Sequence, residues 1–173
     1  MGAGPRARGG GNRAVSLRAR VQEAVEQGRL EELDPLVAQE PRAVRFLLGL
    51  SYRPEAEVRA VAAAGIGLAA RHHPRLVQGV ARRLVWAMND ESGTNALTAP
   101  EVLRAVARER PKLLLPLVPD LIRLAGDAGL HEGLAETLRI IAARCPGEVG
   151  ESLERELNKR FSQGEPGDDP DAT

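Results

Sequence analysis

The chain has 173 residues, with 24 basic and 24 acidic side chains, a hydrophobic fraction of 43% and an aromatic fraction of 2%. A neutral balance argues against a dedicated nucleic-acid binder, whose affinity comes mainly from neutralising phosphates. Scarce aromatics argue against a β-sandwich and for one domain with a core of Leu, Val, Ile and Ala.

Residues 1–13 hold five Gly, one Pro and three Arg, with no apolar run of signal-peptide type after them. They read as a disordered basic segment. Residues 163–173 read as a disordered acidic tail, since neither end has the apolar surface to offset the entropy of ordering. A repeat domain is expected over 14–162. No stretch approaches the roughly 18 apolar residues of a membrane span. The single cysteine, Cys145, allows no intrachain disulfide. A soluble cytoplasmic protein without membrane contact is the expectation.

Inside the domain the apolar residues keep helical spacing. Val58, Val61, Ala62, Gly65, Leu68 and Ala69 form one stripe, and Val77, Val80, Ala81, Leu84, Val85 and Met88 form the next after Pro74. Leu134, Leu138, Ile141 and Cys145 mark a later helix. Helix-like segments end just before Pro41, Pro74, Pro111 and Pro146, which are 33, 37 and 35 residues apart. Proline cannot continue the preceding helix but suits the first turn of the next. Each unit is therefore helix, tight turn at Pro, helix, and a two-helix period near 35 residues predicts an α-solenoid. In segment 112–124, Pro116 and Pro119 interrupt a Leu-rich run, which predicts a late helix start or a kink. In the last helix, about 147–161, Val149, Leu153, Leu157 and Phe161 make a narrow stripe among charges, the pattern of a polar capping helix. The expected fold is all-α, about four helix pairs closed by that C-terminal cap.

One segment, residues 86–101, breaks this regularity. It holds the only tryptophan, Trp86, followed by Asn89, Asp90, Glu91, Ser92, Gly93 and Leu97. Asp90 and Glu91 fall where a helix should end, and carboxylates are mildly unfavourable against the partial negative charge there. A basic neighbour, helix N-terminal amides, a cation or solvent would offset this. Gly93 suits a backbone turn. Thr98-Ala99-Pro100-Glu101 fits a capping box, with Thr98 as N-cap, Pro100 in the first turn and Glu101 reaching back.

Other reactive side chains have bland explanations. His72 and His73 stand at a helix C-terminus and, being adjacent, point to different faces. His131 lies near a helix start, and Cys145 continues an apolar stripe as a buried thiol. No Ser-His-Asp pattern, phosphate-binding Gly loop, paired Cys-x-x-Cys or His-Glu-x-x-His is present. No catalytic, metal or cofactor residue is assigned.

The run Pro54-Glu55-Ala56-Glu57-Val58-Arg59-Ala60-Val61 looks like the first helix of a HEAT repeat, with Arg59 placed at the stripe edge to bond the turn of an adjacent unit. Trp86, Asn89-Asp90-Glu91-Ser92-Gly93 and Ala99-Pro100-Glu101 resemble the signature of a small bacterial and archaeal HEAT-like repeat family. In outline it runs Trp-x-x-Asn-Asp-Glu-Ser-Gly, a short spacer, Trp, then x-Ala-Pro-Glu. That family is similar to PBS-lyase-type HEAT repeats and is associated with sulfate-reducing bacteria. The resemblance is specific over residues 84–104 and generic over roughly 40–160, and Leu97 stands where the pattern has its second Trp. It implies a HEAT-like fold and no established biochemical activity.

The sequence therefore points first to a non-catalytic scaffold for an unidentified protein partner, with Trp86, Asn89, Asp90, Glu91, Ser92 and Leu97 as the contact residues. The alternative from a second class is nucleic-acid binding through a concave groove lined by Arg71, Arg75, Arg82, Arg83, Arg104, Arg108 and Arg110. Zero net charge disfavours it. A lyase-like or cofactor-handling role follows from fold analogy alone. An exposed Trp86 favours the scaffold; a fully buried one weakens it.

Overall fold

The computed structural model describes residues 15–90, 95–150 and 155, and every regular element among them is helical. Helix α1 (Leu17–Glu26) begins at Ser16, whose hydroxyl accepts the Ala19 N–H at 3.2 Å and so caps the first turn. Gly28, at φ 67°, takes the left-handed conformation that turns the chain into α2 (Leu30–Gln39). Next come α3 (Ala43–Leu50), α4 (Ala56–His72), α5 (Pro74–Asn89) and α6 (Asn95–Glu109). A 3-10 segment (Pro111–Leu117) runs straight into α7 (Val118–Leu124), and α8 (His131–Arg144) follows.

The four spaced prolines act alike. Helices α2, α4, α6 and α8 each stop two residues before one of them. The residue between is Glu40, His73, Arg110 or Cys145, with φ from −142° to −125° and ψ from 56° to 87°. The proline ring behind it clashes with a helical backbone at that position and pushes it out. Its own N–H still closes the helix, donating to the carbonyl of Leu36, Ala69, Val106 or Ile141.

These turns lay the helices out in two rows. α2, α4, α6 and α8 pack side by side in one. In the other, α1 packs on α3, and α5 packs on the 3-10 segment and α7. The central helix, α4, is buried through Ala62, Ala63, Gly65, Ile66, Gly67, Ala69 and Ala70, and these small residues let its neighbours come close. A Cβ on Gly67 would stand 2.8 Å from the Ala105 carbonyl oxygen of α6. The largest fully buried side chains are Leu, Ile and Val, as the composition requires.

Polar ties join neighbouring helices of the first row. His72 and His73, at the end of α4, reach back to the Asp34 carboxylate and the Val37 carbonyl, each at 2.9 Å. Arg71 meets Glu109 at 2.6 Å. Arg104 and Arg108 share Glu136 at 2.7 and 2.9 Å, and Arg144 bonds the Arg108 carbonyl. Arg59 donates to the carbonyls of Arg53 and Pro54, in the turn before its own helix, and meets Glu101 of the next unit at 3.4 Å.

The start of α6 corrects the capping-box expectation. The helix begins at Asn95, so Thr98 is inside it and is not its N-cap, and Pro100 lies in the helix interior. Glu101 pairs with Arg59 of α4. The proline is kept there by packing: a Cβ on Gly133 of α8 would lie 2.6 Å from Pro100 Cβ, so ring and glycine fit together. Having no N–H, Pro100 forgoes the ladder bond that would have gone to the Ala96 carbonyl. Residues 146–148 form a turn, 149–150 are not helical, and Gly147 and Gly150 take positive φ, where the sequence suggested the start of a helix. The rest of that proposed cap, Arg155 apart, and the two terminal segments lie outside the described residues.

The glycines separate close approach from mere permissiveness. Gly67→Ala should cost about 1–3 kcal/mol in urea unfolding, because backbone blocks the new methyl. Gly79→Ala, with nothing within 4 Å of its Cβ position, should stabilise by about 0.5–1 kcal/mol through helix propensity.

Candidate functional site

Helix α5 places the residues singled out from the sequence. Its buried face is Val77, Val80, Ala81, Leu84, Val85 and Met88. At about 100° per residue, Trp86 falls on the opposite crest with Arg75, Gly79 and Arg82. It is 68% exposed. Asn89 lies on the α7 side of that crest and accepts a hydrogen bond from Arg123 Nη1 at 2.8 Å, while Arg123 Nη2 meets Asp120 at 3.0 Å.

Asp90 is the C-cap of α5, its amide donating to the Trp86 carbonyl at 3.2 Å. Its carboxylate is exposed and makes no ion pair among the described residues, so solvent offsets its place at a helix C-terminus. Leu97, in the first turn of α6, is 60% exposed and approaches Gly129 of the α7–α8 turn. Asn89 and Leu97 thus border the end of α7, and Trp86 lies about one helical turn before Asn89 on α5. Glu91, Ser92 and Gly93 lie outside the described residues.

The seven arginines named for a nucleic-acid groove do not line one groove: Arg75 and Arg82 lie on the α5 crest, Arg83 lines a separate cleft, and Arg104 and Arg108 edge a groove along α4. Along α4 runs a groove of about 480 Å³, floored by Ala60, Ala64 and Leu68 and edged by Arg104 and Arg108, but also by Glu31, Asp34, Glu101 and Glu109. Arg71, Arg104 and Arg108 are each held by a carboxylate. The hydrogen bond from Arg104 holds the Glu136 carboxyl below the ordinary carboxylate range, and Arg108 adds to it.

Sequence reasoning missed a second feature. Between α3 and α5, reaching the start of α1, lies a cleft of about 680 Å³. Leu76 and Arg83 were its only trace in sequence, an apolar and a basic residue beside the main stripe of α5.

Among the described residues no three His, Cys, Asp or Glu side chains are grouped to hold a metal ion, and no helix is long and apolar enough to cross a membrane. Cys145 is buried at the end of α8; burial pushes its thiol pKa up, and Glu148 adds to this against Lys112 and Arg144. No family model, curated protein or solved structure matches the chain.

Two expectations follow from these ionisations. A depressed carboxylate stabilises the fold above its ordinary pKa and loses that contribution as pH falls through the folded value. Glu136→Gln should therefore lower Tm at neutral pH and narrow the Tm difference between pH 7 and pH 3, read by circular dichroism. Cys145 should react with a water-soluble disulfide reagent at least about tenfold more slowly in the native protein than in urea; equal rates would contradict its burial.

Proposed function

We propose that the chain is a HEAT-like helical-repeat scaffold that recognises a protein partner. The units marked by Pro41, Pro74, Pro111 and Pro146 stack by nearest neighbours, as repeat arrays do, and the polar ties between neighbouring helices of the first row support that architecture. The family resemblance over residues 84–104 points the same way.

The observation that carries the function is Trp86. A tryptophan 68% exposed on a helix crest adds little to the stability of the isolated fold. Tryptophan is among the side chains that contribute most when a partner buries them. Leu97 adds exposed apolar surface at the end of α7, and Asn89, Asp90 and Arg123 supply polar groups. The contact surface is assigned to Trp86, Asn89, Asp90 and Leu97, with Glu91 and Ser92 continuing it in sequence. Nucleic-acid binding along the α4 groove is less well supported, because carboxylates already engage Arg71, Arg104 and Arg108 and few cations remain there for phosphate.

The test is affinity recovery from native extract with mass spectrometry, comparing wild type with Trp86→Ala. The variant should keep its Tm to within a degree or so, since exposed substitutions usually change stability by less than about 0.5 kcal/mol. It should also lose a protein that wild type recovers. Equal recovery by both would remove Trp86 from the contact surface.

A further inference from the structure

We propose that the cleft between α3 and α5 is the seat of an acidic amphipathic helix from a protein partner. This deepens the scaffold function and rests on it, but uses different residues from the Trp86 surface.

The cleft is a gap in the second helix row. α1 packs on α3 and α5 packs on the 3-10 segment and α7, whereas α3 and α5 scarcely touch. Both rest on α4 instead, and α3 has 8 residues where α5 has 16. Val44 and Leu48 of α3 face Leu76 and Val80 of α5 across it, with Leu17 and Phe46 toward α1. Leu76 remains 37% exposed, so the aliphatic floor is left open to solvent at its α5 wall.

The rim carries the argument. Among the described residues, Arg18, Arg42, Arg45 and Arg83 line the cleft, and no acidic residue does. None of the four forms an ion pair among the described residues. Arg83 donates only to the Gly79 carbonyl of its own helix at 3.3 Å, and Arg45 lies over the Phe46 ring at 5.1 Å. The chain as a whole is neutral and engages Arg59, Arg71, Arg104 and Arg108 of its first row with carboxylates. Four uncompensated guanidinium groups around an apolar floor therefore make a local field that fits carboxylates flanking aliphatic side chains.

The shape selects a helix. Leu76, Val80 and Arg83 are a ridge at i, i+4 and i+7 on one wall, and a helix laid between two helical walls fills such a gap by ridges into grooves. Single-stranded nucleic acid would ask for stacking surfaces, and Phe46 is the one aromatic lining residue among the described residues. The chain's own tail, residues 163–173, is acidic but holds no large apolar side chain for the floor.

The probe is a fluorescein-labelled peptide of about 18 residues, long enough to form a helix, with Leu at i, i+3, i+4 and i+7 positions and Glu elsewhere. Its control carries Lys in place of Glu. Fluorescence anisotropy with the full chain should show the acidic peptide binding at least about tenfold more tightly than the control and weakening as salt rises. The Arg45→Glu, Arg83→Glu variant leaves two cations and two anions on the rim and should abolish that preference without change in Tm, since both side chains are exposed. Trp86→Ala should leave peptide affinity within about twofold. Absent binding, equal affinity for both peptides, or an unchanged preference in the double variant would overturn the cleft assignment while leaving the Trp86 surface to its own test. Displacement of the peptide by a thymidine oligonucleotide of equal charge, bound more tightly, would also overturn it in favour of nucleic acid. Tighter peptide binding after removal of residues 163–173 would overturn it in favour of the tail.

Discussion

The architecture depends on a steric clash repeated four times. A proline ring excludes the residue before it from helical backbone, and at Glu40, His73, Arg110 and Cys145 the chain leaves the helix with nearly the same torsions. Each of those residues still donates its amide to the last turn, so the break costs no ladder bond at the helix end. Similar breaks at near-even spacing return α2, α4, α6 and α8 to one row.

What the turns arrange, small residues and unit-to-unit ties then hold. α4 is nearly surrounded, and its Ala and Gly side let α6 approach to backbone contact at Gly67 and Ala105. The next interface uses the same device with the partners exchanged, Pro100 of α6 against Gly133 of α8. The ties at the helix ends, from His73 to Val37 and from Arg144 to Arg108, each span 36 residues, close to the proline period. Individually exposed pairs contribute little. Their value lies in fixing which turn of one helix faces which turn of the next.

Charge is neutral over the chain and uneven over its surface. Carboxylates engage Arg59, Arg71, Arg104 and Arg108 along the first row. In the second, the gap between α3 and α5 collects four arginines with none, and the α5 crest carries an exposed tryptophan. Both departures from a closed, self-satisfied surface fall on the row that holds the shorter and more irregular helices, the row with surface to spare for a partner.

The periodic stripes and the proline spacing made the helices, their order and the turns legible, because helix period and proline sterics are local properties. The burial of Cys145 and the break in segment 112–124 were legible for the same reason. Thr98-Ala99-Pro100-Glu101 matched a local rule that tertiary packing overrode: α6 starts earlier because Pro100 has a seat on Gly133 and Glu101 has a partner in Arg59, 42 residues away. Trp86 could be marked as unusual, but its exposure depended on which face of α5 the neighbouring rows covered. The cleft could not be read at all. It exists because α3 is too short to meet α5 and both rest on α4, a relation between helices that no window of sequence contains.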